Sequence, residues 1–299
     1  MITGSTGNTG TSTAEILLDR GYRVRALVRR EDARSEALEQ AGAEIAKADL
    51  LDFRSLSDTM HGVTSAYFCY PIVPGLLEAT ANFAQAASEA GVRSVVNMSQ
   101  ISARREAASN AARQHWLGER LLDRTTMLTA HLRPTFFAEW IDWFWARRGE
   151  QGVLRLPFGD GRHAPIAGRD QAYVIAAILQ NPQPHDRQIY PLTGPVEMNH
   201  YEIAEAVSRA LGIPVTYEPI SIEEFRQGLT DKEWQPHVIQ HLAAVAQDYQ
   251  AGIFAGANNL VHVVGNKTPM TVEEYVLFKK DAFAQDGPNA IPDKEETTA

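Results

Sequence analysis

Short apolar runs of strand length alternate with helical segments along the first 135 residues. The runs end in turn residues, while the segments between them repeat their apolar positions every three to four residues, as amphipathic helices do. This alternation is typical of an α/β protein with a doubly wound parallel sheet. The predicted strands are residues 1–3, 22–28, 43–48, 63–70, 92–99 and 127–133, and the predicted helices include residues 14–18, 31–42, 53–62, 75–91 and 111–124.

The first predicted strand is unusually short. Only Met1, Ile2 and Thr3 precede the first glycine, whereas a central parallel strand usually has about five residues. The sequence therefore predicts either a short first strand or a chain that begins upstream of Met1.

A glycine-rich segment, the glycine loop, joins that strand to the first helix. Glycines permit a tight turn and a close approach of backbone N–H groups, and the helix directs its positive end at an anion. The spacing Gly-x-x-Gly-x-x-Gly alone also fits an ordinary loop. The order strand, glycine turn, helix and second strand favours a cradle for the pyrophosphate of a dinucleotide. The loop consists of Gly4, Ser5, Thr6, Gly7, Asn8, Thr9 and Gly10.

Two arginines follow the second strand. A unit that binds NAD carries a carboxylate here for the ribose diol, whereas this chain has Arg29 and Arg30. Guanidinium groups form charge-assisted hydrogen bonds with a 2′-phosphate, each contributing about 1.5–3 kcal/mol. The pair therefore predicts NADPH rather than NADH as the cofactor. The alternative for either arginine is a solvated residue at the start of the next helix.

The other candidate site residues lie where the remaining strands end. Ligands of a doubly wound sheet bind beyond the carboxyl ends of its strands, so we expect these residues to share one edge with the glycine loop. They are Asp49 and Leu50, Tyr70 and Pro71, Ser99 and Gln100, and the stretch from Pro134 to Phe137.

The pattern changes after residue 135. Residues 136–145 contain six aromatic side chains, and shorter strands and helices follow up to residue 284. We predict a dinucleotide-binding domain in residues 1–135 and a smaller α+β substrate lobe in residues 136–284, some of whose segments return to the first domain. Residues 285–299 are rich in proline and charge without a periodic pattern, which predicts a mobile tail.

Composition limits the classes of function. The formal net charge of -9 and the pI near 5.5 argue against nonspecific binding to nucleic acid. Cys69 is the only cysteine, so a disulfide framework and a cysteine-based zinc site are excluded and a cytoplasmic location is expected. No apolar run reaches about eighteen residues, so no membrane span is predicted. His237 and His241 are four residues apart, but no glutamate follows the first, so no metal site is predicted.

The order of several motifs resembles that of the NmrA-like group of atypical short-chain dehydrogenases/reductases. The resemblance spans nearly the whole chain and implies an NADP-binding Rossmann domain with a small substrate lobe. It leaves the chemistry open, because the group includes quinone, azo-dye and triphenylmethane-dye reductases as well as catalytically silent redox sensors. Besides the glycine loop, the motifs are Val28-Arg29-Arg30, Ala48-Asp49-Leu50-Leu51-Asp52, His131-Leu132-Arg133-Pro134-Thr135-Phe136-Phe137, Leu192-Thr193-Gly194-Pro195, Tyr201-Glu202-Ile203-Ala204 with Leu211-Gly212, and Thr271-Val272-Glu273-Glu274-Tyr275.

The resemblance also implies which residues hold each part of the dinucleotide. The pyrophosphate would lie on the glycine loop and the 2′-phosphate on Arg29. His115 falls where relatives often carry a basic residue near the ribose or the substrate. The residues implied for the other parts are Asp49 and Leu50 for the adenine, Tyr70, Pro71 and Ser99 for the nicotinamide ribose, and Pro134 and Phe137 for the nicotinamide ring.

The residue content of the predicted helix 111–124 restricts the chemistry. Typical short-chain dehydrogenases carry a Tyr-x-x-x-Lys pair on this helix, in which the lysine lowers the pKa of the tyrosine. This chain has no tyrosine between Tyr70 and Tyr173 and no lysine between Lys47 and Lys232. Hydride transfer to an electron-poor, conjugated acceptor needs less: a site that stacks the acceptor on the nicotinamide and excludes water.

Two features suit such an acceptor. Phe137, Trp140 and Phe144, with the ring of Tyr70, could form a flat aromatic pocket, although core packing or the interface of a homodimer would use the same cluster. His115 could deliver the proton, or it could be a histidine at the cofactor ribose without an acid–base role.

The sequence thus supports two hypotheses. The first is an NADPH-dependent reductase of a quinone-like, azo or other conjugated small molecule. The second is a non-catalytic NADP sensor that acts through a protein partner. The missing Tyr/Lys pair fits both hypotheses, while the substrate lobe and the aromatic segment favour the enzyme.

Overall fold

The computed structural model describes residues 1–291 and contains alternating strands and helices. The strands are β1 (Arg25–Val28), β2 (Glu44–Lys47), β3 (Ser65–Phe68), β4 (Ser94–Met98), β5 (Leu128–Pro134), β6 (Trp145–Arg148), β7 (Gln151–Leu156), β8 (Arg162–His163), β9 (Gln188–Leu192), β10 (Met198–Asn199) and β11 (Val215–Pro219). The helices are α1 (Asn8–Asp19), α2 (Ala33–Gln40), α3 (Phe53–Thr59), α4 (Leu76–Glu89), α5 (Asn110–Leu122), α6 (Glu139–Trp143), α7 (Gly168–Gln180), α8 (His200–Leu211), α9 (Ile222–Asp231), α10 (Pro236–Gln250), α11 (Leu260–Gly265) and α12 (Val272–Phe278).

A parallel sheet forms the centre of the first lobe. Its first strand is reduced to Ile2, which bridges Ala26 on one side and Tyr67 on the other. Parallel pairing gives the spatial order β2, β1, Ile2, β3, β4, β5 and β9. The prediction of a doubly wound parallel sheet is therefore confirmed.

Two helical layers cover this sheet. Helices α1, α7 and α11 pack together on one face, over a core that includes Ile2, Tyr67 and Ile175. Helices α3, α4 and α5 cover the other face, where Phe68 and Phe83 stack with ring centroids 4.5 Å apart. Because both faces are buried, the strands carry continuous apolar runs, which explains why they can be found from the sequence.

A second, smaller lobe holds a mixed three-stranded sheet in the order β11, β7, β6. Strand β11 runs parallel to β7, and β6 runs antiparallel to it. Helices α8, α9, α10 and α12 surround an aromatic core, in which the ring of Phe136 lies 5.0 Å from Phe158 and 4.7 Å from Phe254. The small lobe lies at the carboxyl ends of the strands of the large sheet.

The two lobes are interleaved in sequence. Strand β9 and helix α7 come after residue 136, in the predicted substrate lobe, but they pack in the first lobe. Strand β9 pairs with β5 at the edge of the large sheet, and α7 packs against α1. The first residues of the segment 285–299 are paired with the small lobe, because the backbone N–H groups of Gly287 and Asn289 donate to Trp145 O and Trp143 O, both at 2.8 Å. The mobility of this segment stays a prediction. The rest of the predicted tail lies outside the described residues.

None of the helices within residues 1–291 has the length and apolar character needed to cross a membrane.

Glu139 lies where the lobes meet, at the first turns of α1 and α7. Its carboxylate accepts the N–H of Gly168 at 3.0 and 3.2 Å. A Cβ on Gly168 would lie 2.9 Å from both Asn8 Cβ and Glu139 Oε1, so only glycine lets these groups approach so closely. The pKa of Glu139 is raised to about 7, because burial and the neighbouring Asp142 raise it by more than the backbone hydrogen bonds lower it. The junction therefore contains a buried acid that titrates near neutral pH.

Glu139→Gln should stabilise the protein at about pH 8 and much less at about pH 5. The folded-state pKa is above the ordinary value of 4.5, so the carboxyl loses favourable free energy as the pH rises through about 7. Glutamine keeps an acceptor for the Gly168 N–H and carries no charge. The difference in Tm between variant and wild type should grow over this range, measured by circular dichroism.

The exposed Glu150→Gln provides the matched control for the loss of one carboxylate. A difference between Glu139→Gln and wild type that stays constant with pH would contradict the assigned titration.

Candidate functional site

The glycine loop is held in a shape that only glycine allows. Gly4 has a φ of +58°, in the left-handed region that favours glycine. A Cβ on Gly10 would lie 2.1 Å from Gly4 O, which is impossible without moving the backbone. The first turn of α1 therefore packs directly onto the end of the central strand.

The start of α1 is one of several helix starts in the described residues that have no side-chain cap. Its N-cap is Gly7, and no side chain caps it. The N–H groups at the start of an α-helix have no acceptor within the helix, so they remain available to an anion. Six other helices instead begin with a side-chain cap, namely Asp32, Asp52, Ser109, Asn199, Ser221 and Thr271.

Two predicted cofactor residues of the glycine loop support the loop with their side chains. Ser5 Oγ donates to Leu27 O at 2.9 Å, and Thr9 Oγ1 is 2.8 Å from the hydroxyl of Tyr67. Both side chains are buried in the sheet, so these residues can offer a ligand only their backbone. Asn8 is exposed on the first turn, where its side chain is accessible.

Arg29, Asp49 and Tyr70 lie together at the ends of β1, β2 and β3. Arg29 and Arg30 are both exposed. Burial raises the pKa of the Tyr70 phenol, Asp49 raises it further and Arg29 opposes that rise, which places the ring within reach of both charges. The Tyr70 hydroxyl donates to Pro74 O at 3.1 Å. Its phenol thus lies at the predicted adenosine end, whereas the resemblance implied the nicotinamide ribose.

The remaining residues of this corner form its backbone turns. Asp49 Oδ1 accepts the N–H of Leu51 at 3.0 Å, so this carboxylate stabilises the turn that presents it. Leu50 O accepts the side-chain amide of Asn82 at 3.1 Å, and Pro71 is exposed. The predicted adenine-bordering residues, Asp49 and Leu50, are therefore held in place before any ligand binds.

Ser99 belongs to a buried ionic network at the ends of β4 and β5. Its hydroxyl donates to Glu119 Oε1 at 2.6 Å. Arg133 donates to the same carboxylate through Nε at 2.8 Å and Nη2 at 2.6 Å. Glu119 is fully buried. No motif in the sequence marks Glu119 as a site residue, although it lies four residues after His115, one helical turn further along α5.

His115 is buried on α5 beneath the small lobe. Burial, together with the neighbouring His241 and Arg133, lowers its pKa to about 3. His241, on α10, is 2.8 Å from the hydroxyl of Ser109, the N-cap of α5. The His115 ring is therefore neutral at physiological pH and holds no extra proton to transfer.

Two buried polar atoms beside this network have no hydrogen-bond partner among the described residues. They are Gln100 Nε2, just after β4, and Thr135 Oγ1, just after β5. Buried polar groups are normally satisfied, so unpaired ones at a ligand edge indicate the place of a polar ligand. Together with the cradle at Gly10, these atoms fit a dinucleotide that runs along the carboxyl edge of the sheet.

The predicted acceptor residues separate into two groups. Phe144 is 1% exposed and packs against Trp140 and Phe225, with ring centroids 4.9 and 5.7 Å apart. Its predicted contact with a substrate is wrong, because the core of the small lobe encloses the ring. Phe137 and Trp140 are half-buried, and Phe137 bridges to Ile166 beside the buried Pro134. These two remain at the margin of the candidate site.

Two grooves of the described surface lie away from this edge. One of about 820 Å³ lies at the amino end of the sheet, and another of about 680 Å³ lies between α9 and α10. The candidate site is thus identified by its backbone geometry and its unpaired polar atoms rather than by cavity size.

Known proteins resemble this chain over almost its full length. The chain is 31% identical to the NAD(P)H azoreductase of Xenophilus azovorans over 289 residues, which are 95% of this chain and 98% of that one. An NADPH-dependent quinone oxidoreductase of Escherichia coli, solved with NADPH, matches with a TM-score of 0.80 at 22% identity, over 93% of this chain and 99% of that one.

A solved negative transcriptional regulator in complex with NADP has the same fold. It matches with a TM-score of 0.78 at 15% identity, over 95% of this chain and 96% of that one. The family model described as the NmrA-like family matches residues 1–276. The chain therefore belongs to the NmrA-like family, as the order of its motifs predicted.

Proposed function

We propose that this protein is an NADPH-dependent reductase that transfers hydride to a quinone-like, azo or other conjugated small molecule in the cytoplasm. The observation that carries the proposal is the uncapped first turn of α1, packed onto Gly4 so closely that Gly10 admits no Cβ. The azoreductase and the quinone oxidoreductase that resemble this chain support the class of acceptor.

The residues along the carboxyl edge fit NADPH from end to end. The N–H groups of the first turn of α1 would hold the pyrophosphate, and the exposed Arg29 and Arg30 would hold the 2′-phosphate. Asp49 and Tyr70 would border the adenosine. Ser99, Gln100 and Thr135 would serve the nicotinamide half, because they are the polar groups at the ends of β4 and β5.

The chemistry needs no tyrosine acid. Helix α5 contains neither tyrosine nor lysine, so the Tyr-x-x-x-Lys mechanism cannot operate on it. The bound cofactor supplies a hydride, and the reduced acceptor takes one proton to complete its two-electron reduction. Neutral His115 can donate a ring N–H to the acceptor without transferring a stored proton, and water can supply the proton. The protein would mainly orient the acceptor and exclude solvent.

The second candidate is a sensor that binds NADP and acts through a protein partner. The low pKa of His115 and the enclosure of Phe144 favour it, because they remove one acid and one substrate contact from the site. The regulator solved with NADP has the same fold.

Steady-state oxidation of NADPH at 340 nm with menadione and an azo dye separates the two candidates. The reductase proposal predicts turnover that saturates with at least one of these acceptors. Tight binding of NADPH without turnover across the panel would favour the sensor.

Arg29→Ala should weaken binding of NADPH about tenfold or more and leave binding of NADH nearly unchanged, because it removes charge-assisted hydrogen bonds to the 2′-phosphate. Fluorescence titration of both cofactors measures this. Arg23→Ala removes another exposed arginine as the control. Equal losses for the two cofactors would show that Arg29 does not recognise the phosphate.

His115→Gln should keep most of the turnover, since glutamine retains an N–H donor, whereas His115→Phe should lower kcat without weakening NADPH. The pKa of about 3 predicts no inflection from this ring around pH 6.5, its ordinary pKa. The pH profile of kcat tests this. An inflection near that pH in the wild type that His115→Gln abolishes would contradict a neutral His115.

A further inference from the structure

Glu119 is the most enclosed charge at the carboxyl edge. Its carboxylate lies beneath the ends of β4 and β5 and is fully buried. Three donors approach it within 3 Å: Ser99 Oγ at 2.6 Å, Arg133 Nε at 2.8 Å and Arg133 Nη2 at 2.6 Å. Arg120 Nη2 lies further away, at 3.7 Å from Glu119 Oε2. The network joins α5 to two strands at the point where the nicotinamide half of a dinucleotide would lie.

The chemistry of these groups fixes the direction of each hydrogen bond. A guanidinium group has donors only, so Arg133 occupies both carboxylate oxygens of Glu119 as a donor. An ionised carboxylate has acceptors only, so the hydroxyl of Ser99 must donate its single hydrogen to Glu119. Ser99 then has no hydrogen left for a ligand and keeps only lone pairs.

We propose that Glu119 and Arg133 orient the Ser99 hydroxyl so that it acts solely as an acceptor for an O–H or N–H group of the nicotinamide half of the dinucleotide. Glu119 is thus a positioning residue, which acts on the ligand through Ser99. The proposal rests on the proposed function, because it requires a bound dinucleotide. It assigns the ribose hydroxyls and the carboxamide as the donors that this edge recognises.

The same arrangement excludes a second role for Ser99. A hydroxyl that donates to a buried carboxylate cannot also donate to the oxygen of an acceptor molecule, so Ser99 does not polarise the substrate. The donors that remain on this side are the neutral N–H of His115, one turn earlier on α5, and the unpaired Gln100 Nε2 and Thr135 Oγ1. Cofactor recognition by Ser99 and polarisation of the acceptor are therefore carried by different groups of the edge.

Glu119→Leu removes both acceptor oxygens while changing the size of the side chain little. Ser99 and Arg133 Nε share Glu119 Oε1, so the hydroxyl of Ser99 loses its acceptor when that oxygen is absent. Ser99 is then free to direct its own hydrogen at the ligand, so that a donor faces a donor. Ser99→Ala removes the acceptor and leaves Glu119 and Arg133 paired.

The experiment compares two ligands by calorimetry: NADPH and 2′-phospho-ADP-ribose, which lacks the nicotinamide. Glu119→Leu and Ser99→Ala should each weaken NADPH about tenfold and leave 2′-phospho-ADP-ribose within about twofold of wild type. The double variant should be no weaker than the weaker single variant, because both changes act on one hydrogen bond. The exposed Glu150→Gln serves as the charge control.

The outcomes distinguish this inference from the proposed function. A folded wild type that binds neither ligand would overturn the dinucleotide site itself. Binding of NADPH at wild-type strength by Ser99→Ala, or by folded Glu119→Leu, would overturn only the role of the network. Equal losses of both ligands would also overturn it, because they would indicate a general structural effect. If Glu119→Leu does not fold, Ser99→Ala still decides whether the nicotinamide half uses this acceptor.

Discussion

The site depends on the contact between the first turn of α1 and the end of the central strand. With Gly4 O only 2.1 Å from where a Gly10 Cβ would lie, the helix begins directly above the strand, and no side chain caps it. The free N–H groups and the positive end of the helix therefore meet at one exposed position. Every other candidate group is placed relative to this point, because the strands of a parallel sheet end along the same edge.

The two ends of this edge differ in the charge that they present to a ligand. Exposed guanidinium groups follow β1, where they can meet a phosphate while remaining hydrated. At the other end the carboxylate of Glu119 is buried and fully paired, and His115 is neutral. A phosphorylated dinucleotide has its charge at one end and a planar ring at the other. The electrostatics of the edge and the architecture of the ligand are thus complementary.

The sequence predicts the sheet and the cofactor loop because both depend on local signals. Apolar runs identify buried strands, and glycines identify close contacts. The sequence does not predict the network around Glu119, since Ser99, Glu119 and Arg133 come from three elements and meet only when β4 and β5 pair. Phe144 was assigned to the wrong environment because an aromatic run does not tell which ring faces the core. The position of β9 at the edge of the large sheet likewise depends on a pairing across a long stretch of sequence.

A crystal structure of the protein with NADP tests the central claim most directly. The account predicts that the pyrophosphate accepts the N–H groups of the first turn of α1, that the 2′-phosphate contacts Arg29, and that the nicotinamide half lies over Ser99. A dinucleotide bound away from the glycine loop, or bound in the opposite direction along the edge, would contradict it.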